Sequence, residues 1–232
     1  MRPNFLKITT FDAKKVAAIR RIAVVGAGLT GLATAVAAST AGAVVDLFEA
    51  SSELVTPPAH IDVVPNMLRD LATLGVADEC VRNGFPYHGS IVVDAMGRSC
   101  LQMATPSLAG PRLPAAIGMT YGRLLQVLLE AAVLRGVSVH WGSVVKHVDT
   151  DNARLLLSGP CTREWKGDLI VLAGASGVAG IDLPLERQGV ELSQCWDYVL
   201  ARRPREIDRA TWVIGSARNK AMLVPVSITH AG

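Results

Sequence analysis

The N-terminal part of the chain alternates short apolar runs with one longer helical pattern. The run 22–25 is apolar, partly β-branched and ends at Gly26, as expected for a buried parallel strand. Residues 29–41 are rich in alanine and leucine and contain no proline, which predicts a helix that stops at Gly42. A second apolar run over 44–48 follows. Together these segments predict a βαβ unit.

The same periodicities predict two more helices and a hairpin. Pro65 suits the first turn of a helix, the apolar side chains after it fall on one face, and Gly75 stands just past the end. The runs 91–93 and 101–103 flank a turn-rich segment, which predicts a β-hairpin. Residues 121–134 carry the strongest helical pattern. Antiparallel structure inserted into a parallel fold indicates a second layer or subdomain.

The remaining apolar segments are predicted to be strands. Most are short runs, at 137–141, 144–148, 155–157, 198–200, 211–214 and 222–226. The run 168–174 differs from them because it is almost continuously apolar and ends in a small-residue turn, as a buried parallel strand does. We expect it to return the chain to the N-terminal sheet.

The fold class predicted from these elements is α/β, a Rossmann-like parallel sheet with an inserted or attached antiparallel β-rich region. In this interpretation residues 1–19 are an N-terminal extension, residues 20–180 form a nucleotide-binding domain that includes the hairpin, and residues 181–232 begin a β-rich substrate domain, which a truncation could have shortened. A chain of 232 residues, 50% of them hydrophobic, can bury a core of the necessary size.

Three glycines lie between the first predicted strand and the first predicted helix. They follow the G-x-G-x-x-G pattern in the context that dinucleotide binding requires. Gly26 permits the tight turn, Gly28 lets the backbone approach a pyrophosphate, and Gly31 allows the helix to pack closely on the strand. The pattern therefore predicts a pyrophosphate site at this turn.

The residues around the glycines complete the predicted nucleotide site. Leu29 and Thr30 begin the helix, whose amino end presents unpaired N–H groups and a partial positive charge to an anion. Glu49 follows Gly26 by 23 positions and ends the second strand, where a carboxylate can accept hydrogen bonds from ribose hydroxyls. A carboxylate there disfavours a 2′-phosphate and hence NADP, but the fingerprint alone leaves FAD and NAD open.

Composition narrows the function classes. The 23 basic and 20 acidic residues give a formal charge of +3 without a concentrated basic patch, so no nucleic-acid partner is expected. No apolar stretch reaches the roughly 20 residues of a membrane span, and the first twenty residues lack the apolar core of a secretory signal. Neither a zinc site nor a thioredoxin-like centre is predicted, because Cys80, Cys100, Cys161 and Cys195 form no C-x-x-C pair and have no neighbouring histidines at metal-ligand spacing. Reduced thiols in a cytoplasmic protein are expected.

Two later segments resemble the FAD-dependent aromatic hydroxylases of the para-hydroxybenzoate hydroxylase type. Residues 61–75, IDVVPNMLRDLATLG, are similar to that family's loop and Pro-Asn helix after the second strand. Residues 121–129, YGRLLQVLL, are similar to its R-x-x-L-x-x-x-L helix. The resemblance implies that Arg123 contacts the cofactor, that adenine lies against the backbone near Val145, and that Gly174 belongs to a cofactor-binding turn.

The resemblance also implies a chemistry. FAD would be the bound cofactor, NAD(P)H its transient reductant, and oxygen the co-substrate of a monooxygenase that hydroxylates a small aromatic or polycyclic compound. The flavin would carry the redox chemistry, while the protein would orient it and exclude water.

Two departures from the family pattern keep other functions open. The segment 172–177, LAGASG, lacks the aspartate of the family's G-A-D-G turn, and the sequence stops before a Gly-Asp motif that contacts the flavin in family members. The resemblance therefore covers residues 20–226 and the front portion of a full enzyme. A non-catalytic FAD-binding remnant, or an NAD-binding dehydrogenase or sensor module, are the alternatives.

Two polar residues before the second helix invite a catalytic role. His60 stands where family members often have a glycine near the flavin, but a solvent-exposed loop histidine is the favoured interpretation. Asp62 is either a substrate-site carboxylate or a loop residue. The sequence assigns no catalytic residue and no oligomeric state.

Overall fold

The computed structural model describes residues 19–160, 163–174, 197–215 and 220–232. The elements of the first part are β1 (Arg21–Val25), α1 (Leu29–Thr40), β2 (Val44–Phe48), β3 (His60–Val63), α2 (Pro65–Thr73), α3 (Ala77–Asn83), β4 (Phe85–Tyr87), β5 (Ser90–Asp94), β6 (Ser99–Met103), β7 (Ala116–Thr120) and α4 (Tyr121–Leu134). The remaining elements are β8 (Ser138–His140), β9 (Val144–Asp149), β10 (Arg154–Ser158), β11 (Glu164–Lys166), β12 (Leu169–Leu172), β13 (Ala201–Arg202), β14 (Ala210–Ile214), β15 (Lys220–Leu223) and β16 (His230–Ala231).

The centre of the fold is a parallel sheet in the order β12-β1-β2-β8. Val25 lies beside Phe48 on one side and beside Leu172 on the other, so the carboxyl ends of three strands meet at one edge. The predicted βαβ unit and the predicted return strand over 168–174 are both confirmed. Helices α1 and α4 cover one face of the sheet, and their apolar side chains share its main hydrophobic core.

The opposite face of the parallel sheet packs on an antiparallel sheet in the order β11-β10-β9. Successive side chains of a strand point to opposite faces. Val24 accordingly joins the core on the helix side, while Val25 and Phe48 pack with Leu155 and Trp165 on the other side. The α/β class with attached antiparallel structure is therefore confirmed.

The predicted hairpin is confirmed by the pairing of β5 with β6. It is part of a larger mixed sheet, β15-β14-β5-β6, in which β14 runs parallel to β5. The hairpin was predicted to belong to the domain 20–180. In the structure its strand β5 pairs with β14 of the C-terminal segment. A fourth sheet has the order β3-β7-β4, and its strands β4 and β7 flank the hairpin in the sequence. At Gly118 of β7 it packs closely against Val224 and Pro225.

Several elements differ from the sequence-based predictions. Residues 198–200 were predicted as a strand, but in the structure they precede β13 without pairing, and their apolar side chains are more than half exposed. The predicted strand 222–226 pairs with β14 only as far as Leu223, because the next residues change partner and Pro225 forms an antiparallel bridge with Ala231. Helix α3 and strands β3, β4, β7, β11, β13 and β16 were not predicted, since short elements carry too few residues for a periodic pattern. Of the predicted extension 1–19, residues 1–18 lie outside the described residues.

None of the helices in the described part of the chain combines the length and the apolar character needed to cross a membrane.

Candidate nucleotide site

The turn after β1 is held against two neighbouring strands. The N–H of Gly26 donates to the carbonyl of Phe48 at 2.8 Å, and Gly26 adopts a φ of +106°, which side chains rarely tolerate. A β-carbon at this position would also lie 3.1 Å from the carbonyl carbon of Ala173 and from the nitrogen of Gly174. Gly174 thus lies directly beside the turn, at the edge where the parallel strands end.

The other two glycines have opposite surroundings. A β-carbon on Gly31 would lie 1.9 Å from the carbonyl oxygen of Gly26, so the close approach of α1 to the turn requires glycine. A β-carbon on Gly28 would meet no atom within 4 Å. Gly31 therefore serves packing inside the fold, whereas the space in front of Gly28 is free for a ligand.

The amino end of α1 faces this free space. Gly28 is the N-cap residue in an extended conformation, and no side chain caps the helix. The N–H groups of Leu29, Thr30 and Gly31 have no acceptor within the helix, as in any first helical turn. No acidic residue lies in that turn to offset the positive end of the helix dipole. This arrangement suits an anion such as a pyrophosphate.

Glu49 ties the end of β2 to the glycine turn. Its Oε2 accepts the N–H of Ala27 at 2.7 Å, and its Oε1 accepts the N–H of Ser51 at 2.9 Å. Burial acts to raise the pKa of Glu49, but these backbone N–H donors outweigh it and hold the pKa below the ordinary value of 4.5. Each carboxylate oxygen keeps a second lone pair, so the predicted contact with ribose hydroxyls stays a prediction and is compatible with these bonds.

A buried carboxylate that the sequence analysis did not single out stabilises the strand that delivers Glu49. Asp46 is only 9% exposed and faces the antiparallel sheet. Its oxygens accept hydrogen bonds from Trp165 Nε1 at 2.8 Å, from His140 Nε2 at 2.9 Å and from the guanidinium of Arg21. Burial opposes ionisation, yet the bonds from His140, Trp165 and Arg21 set the pKa of Asp46 below its ordinary value. The sequence did contain a signal for such a cluster, because an aspartate inside the apolar run 44–48 must be buried and therefore needs hydrogen-bond donors.

His140 connects this cluster to Glu49. Its ring stacks on Phe48 with centroids 4.7 Å apart, and its carbonyl accepts the N–H of Glu49 at 3.0 Å. The N–H of Ser143 donates in turn to the carbonyl of Glu49 at 2.8 Å. Residues far apart in the sequence therefore fix the backbone on both sides of this carboxylate.

Val145 lies close to this group, at the start of β9. Its side chain is buried with Phe48 in the core between the parallel and antiparallel sheets. Its backbone belongs to the ladder with β10, opposite Leu157. The implied contact of this backbone with adenine stays a prediction.

Arg123 lies at the start of α4 and is held by protein groups. Its Nε and Nη2 donate to Oδ1 of Asn83 at 2.8 and 2.5 Å, and its Nη1 donates to Oε1 of Gln126 at 2.8 Å. Thr120 caps the same helix by accepting the N–H of Arg123. The cofactor contact implied for Arg123 remains a prediction, which requires these partners to share or release the guanidinium.

A cavity of about 270 Å³ lies between the loop before β3 and the segment before β13. It is lined by residues 56–60, by Thr120 and Gly122 at the start of α4, and by residues 198–200.

His60 is half-buried at the start of strand β3, so the expectation of an exposed loop histidine is wrong. Asp62 lies on the same strand and accepts the hydroxyl of Tyr87, which removes the loop interpretation for this carboxylate as well.

Within the described ranges, no three His, Cys, Asp or Glu side chains come together in a way that could hold a metal ion. The segment 172–177, which lacks the aspartate of the family's G-A-D-G turn, is described only as far as Gly174, so residues 175–177 lie outside the described part of the chain.

The parallel sheet, the glycine turn against its edge and the acidic end of β2 define a dinucleotide-binding α/β protein. Residues 20–199 match the model of the FAD binding domain family, and the chain belongs to that family. The open cradle at Gly28 and the ionised Glu49 fit the ADP half of FAD.

Relatives with similar sequence or fold are oxygenases by name. YetM of Bacillus subtilis (strain 168), named as an FAD-dependent monooxygenase, is 27% identical over 220 residues, which are 92% of this chain and 58% of YetM. The solved structure of a mutant 2-methyl-3-hydroxypyridine-5-carboxylic acid oxygenase has a TM-score of 0.73 at 24% identity, over 92% of this chain and 57% of that one.

A second solved structure, the p-nitrophenol 4-monooxygenase PnpA of Pseudomonas putida DLL-E4, has a TM-score of 0.70 at 20% identity and covers 92% of this chain and 56% of that one. At these identities the two structures show the same fold. The chain thus spans less than three fifths of the length of the relatives that it matches.

Proposed function

We propose that this chain binds FAD through its glycine turn and forms the cofactor domain of a monooxygenase. In this proposal NAD(P)H is the transient reductant, oxygen the co-substrate and a small aromatic or polycyclic compound the substrate, in a cytoplasmic protein. The observation that carries the proposal is the open space in front of Gly28, framed by the free amino end of α1 and by Glu49. The names of the relatives support the oxygenase chemistry.

Each residue of the cradle has a separate task in this proposal. The N–H groups at the amino end of α1 hold the pyrophosphate, and Gly28 lets it approach the backbone. Glu49 accepts the ribose hydroxyls while it keeps the glycine turn in place through Ala27. When bound, FAD supplies the electron transfer and the oxygen activation, for which protein side chains have no equivalent.

Valine at position 28 tests the proposal directly. We expect Gly28→Val to fill the cradle and to lower FAD affinity at least tenfold, about 1.4 kcal/mol. The melting temperature should change little, because a β-carbon at this position would meet no atom of other parts of the chain within 4 Å and φ is negative there. FAD binding is measured by the quenching of flavin fluorescence. Ala37→Val, at an exposed position of the same helix, is the matched control and should bind FAD normally. Absence of FAD binding by the unaltered protein would refute the proposal, and preferential binding of NAD would replace it by a dehydrogenase or sensor.

The charge of Glu49 gives a second prediction. Glu49→Gln cannot accept both backbone N–H groups, because its amide nitrogen is a donor, so one hydrogen bond to a charged acceptor is lost at about 1.5 kcal/mol. FAD affinity should fall about tenfold. In the unaltered protein the affinity should persist above pH 4.5 and decline as the pH falls through the lowered pKa of Glu49, a decline that Glu49→Gln should not show. Equal pH profiles of FAD binding for the two proteins would contradict this role.

Catalysis needs its own measurement, because the chain spans only part of its relatives. Consumption of NADH or NADPH by the FAD-loaded chain, stimulated by members of a panel of phenols and aromatic acids, is the expected result. FAD binding without any stimulated consumption would support a cofactor-binding remnant of the family instead.

A further inference from the structure

The cavity beside β3 has mainly apolar walls. Pro57 and Pro58 form one side, while Val199 and Leu200 form the other with 68% and 56% of their surfaces exposed. Apolar side chains that converge on a concave site and remain uncovered are typical of a ligand pocket with few polar contacts. Proline rings and branched aliphatic side chains offer apolar surface, against which the apolar face of an aromatic ring can pack.

His60 contributes an imidazole ring to this lining, next to the phenol ring of Tyr198. Its imidazole meets the ring of Tyr198 edge-on at 5.5 Å between centroids, and it packs against the backbone of Gly232. Among the described residues, no hydrogen-bond partner of its ring nitrogens is found. A half-buried imidazole that has no partner in the described part of the chain can form its hydrogen bond with a ligand in the cavity.

Asp62 and Tyr87 form a hydrogen-bonded pair near His60. Asp62 lies two residues further on the same face of β3, and the hydroxyl of Tyr87 from β4 donates to it. Burial lowers the pKa of His60, and the charge of Asp62 partly opposes that shift. Burial also raises the pKa of Asp62, against the effects of Tyr87 and His60. At neutral pH His60 is therefore an uncharged base with one free acceptor nitrogen.

We propose that His60 is the residue that binds the ionisable edge of a planar aromatic ligand in this cavity and exchanges a proton with it. The ligand group is a phenolic O–H of the substrate or an N–H of the flavin ring, and this assignment rests on the function proposed above. In the exchange, the ligand's O–H or N–H bond breaks, the bonding pair stays on the ligand, and an N–H bond forms on the imidazole. Asp62 is a positioning residue in this scheme, since it stabilises the imidazolium that results.

The experiment uses the full chain loaded with oxidised FAD, without a reductant, and 4-nitrophenol as the probe. The absorbance of the nitrophenolate band is followed against pH at saturating protein. We expect the bound phenol to ionise about one pH unit below the free phenol, because His60 takes up the phenolic proton and the imidazolium formed in that transfer favours the phenolate. His60→Phe keeps a ring against Tyr198 and should abolish the shift, and His60→Gln is a second variant that keeps polarity. Asp62→Asn should reduce the shift.

A parallel arm follows the alkaline ionisation of the bound flavin by its visible spectrum in the same variants. His147→Phe, the same substitution at an exposed histidine of β9, is the matched control and should leave both ionisations unchanged. An effect of His60→Phe on the nitrophenol alone identifies the substrate as the ligand, and an effect on the flavin alone identifies the cofactor. The proposal is overturned if His60→Phe binds FAD normally and changes neither ionisation. It is also overturned if nitrophenol does not bind and the ionisation of the flavin is the same in His60→Phe as in the unaltered protein.

Failure of the proposed function gives a different result. If the unaltered protein binds no FAD, the nitrophenol titration is repeated without it. A shift in the ionisation of nitrophenol that depends on His60 would then support the role of His60 in the cavity, although the proposed FAD binding would be refuted. If the ionisation of nitrophenol does not shift, both proposals are refuted.

Discussion

Replacement of Gly31 by alanine is expected to lower the free energy of unfolding by about 3 kcal/mol, at the upper end of the cost of overpacking. The added carbon would lie 1.9 Å from the oxygen and 3.0 Å from the carbonyl carbon of Gly26. Both atoms are backbone in a turn that is pinned by Phe48 and Ala173, so no flexible side chain can move away. Helix α1 would have to lift from the parallel sheet. Urea unfolding followed by circular dichroism measures the change.

Gly28→Ala is the control for this prediction. It lies three residues earlier in the same motif, but its new carbon would meet open space. Its free energy of unfolding should stay within about 0.5 kcal/mol of that of the unaltered protein. A Gly31→Ala protein as stable as Gly28→Ala would mean that the close packing of α1 on the turn is not required for folding.

Asp46→Ala is the second substitution with a large expected effect, about 3 kcal/mol of lost stability, because it leaves buried donors without an acceptor. The nitrogen of Trp165 bonds to Asp46 in the interior, and His140 bonds to its other oxygen. The contribution of Arg21 is smaller, since 52% of that side chain is exposed to solvent. Chemical unfolding monitored by tryptophan fluorescence gives the measurement.

Two matched variants separate the parts of this cluster. Asp46→Asn should cost only about 1 kcal/mol, because the amide oxygen still accepts from Trp165 and His140 can change tautomer to accept from the amide nitrogen. Trp165→Phe removes one donor and should couple non-additively with Asp46→Ala in a double-mutant cycle. Additive losses would show that the two side chains do not depend on each other.

The ionisation of Asp46 also sets a dependence on pH. Its pKa is lower in the folded protein than its ordinary value of 3.8, so its contribution to stability is fully present above that value. The contribution is lost as the pH falls through the lowered pKa. The stability difference between the unaltered protein and Asp46→Asn should therefore be constant near neutrality and shrink in acid below about pH 4. A difference that grows in acid would contradict the assignment.

The prediction of the βαβ unit from the sequence succeeded because its determinants are local. A strand, a glycine turn and a helix follow one another within twenty residues, and glycine at position 26 permits the positive φ that the turn adopts. The hydrophobic periods of the longer helices, α1 and α4, had enough residues to be recognised. The residues 61–75 and 121–129 further carried the likeness to flavin-dependent hydroxylases, and the family match over 20–199 bears it out.

The sequence failed where a residue's surroundings come from distant parts of the chain. Asp46 and Trp165 are 119 positions apart, and no local pattern places an indole N–H beside that carboxylate. His60 follows two prolines, which favour a loop, but pairing of β3 with β7 makes it the start of a strand. The apolar run 198–200 has the composition of a strand, yet it forms a wall of the cavity instead.

What the sequence by itself determined about this protein is the βαβ unit, its glycine cradle and the acidic end of β2. Only the tertiary structure decided that the hairpin at β5 joins strand β14, that Asp46 is buried among three donors, and that His60 faces a cavity with apolar walls. The physical reason is that turns and helices depend on neighbouring residues, whereas sheet partners and the burial of polar groups depend on which distant segments pack together.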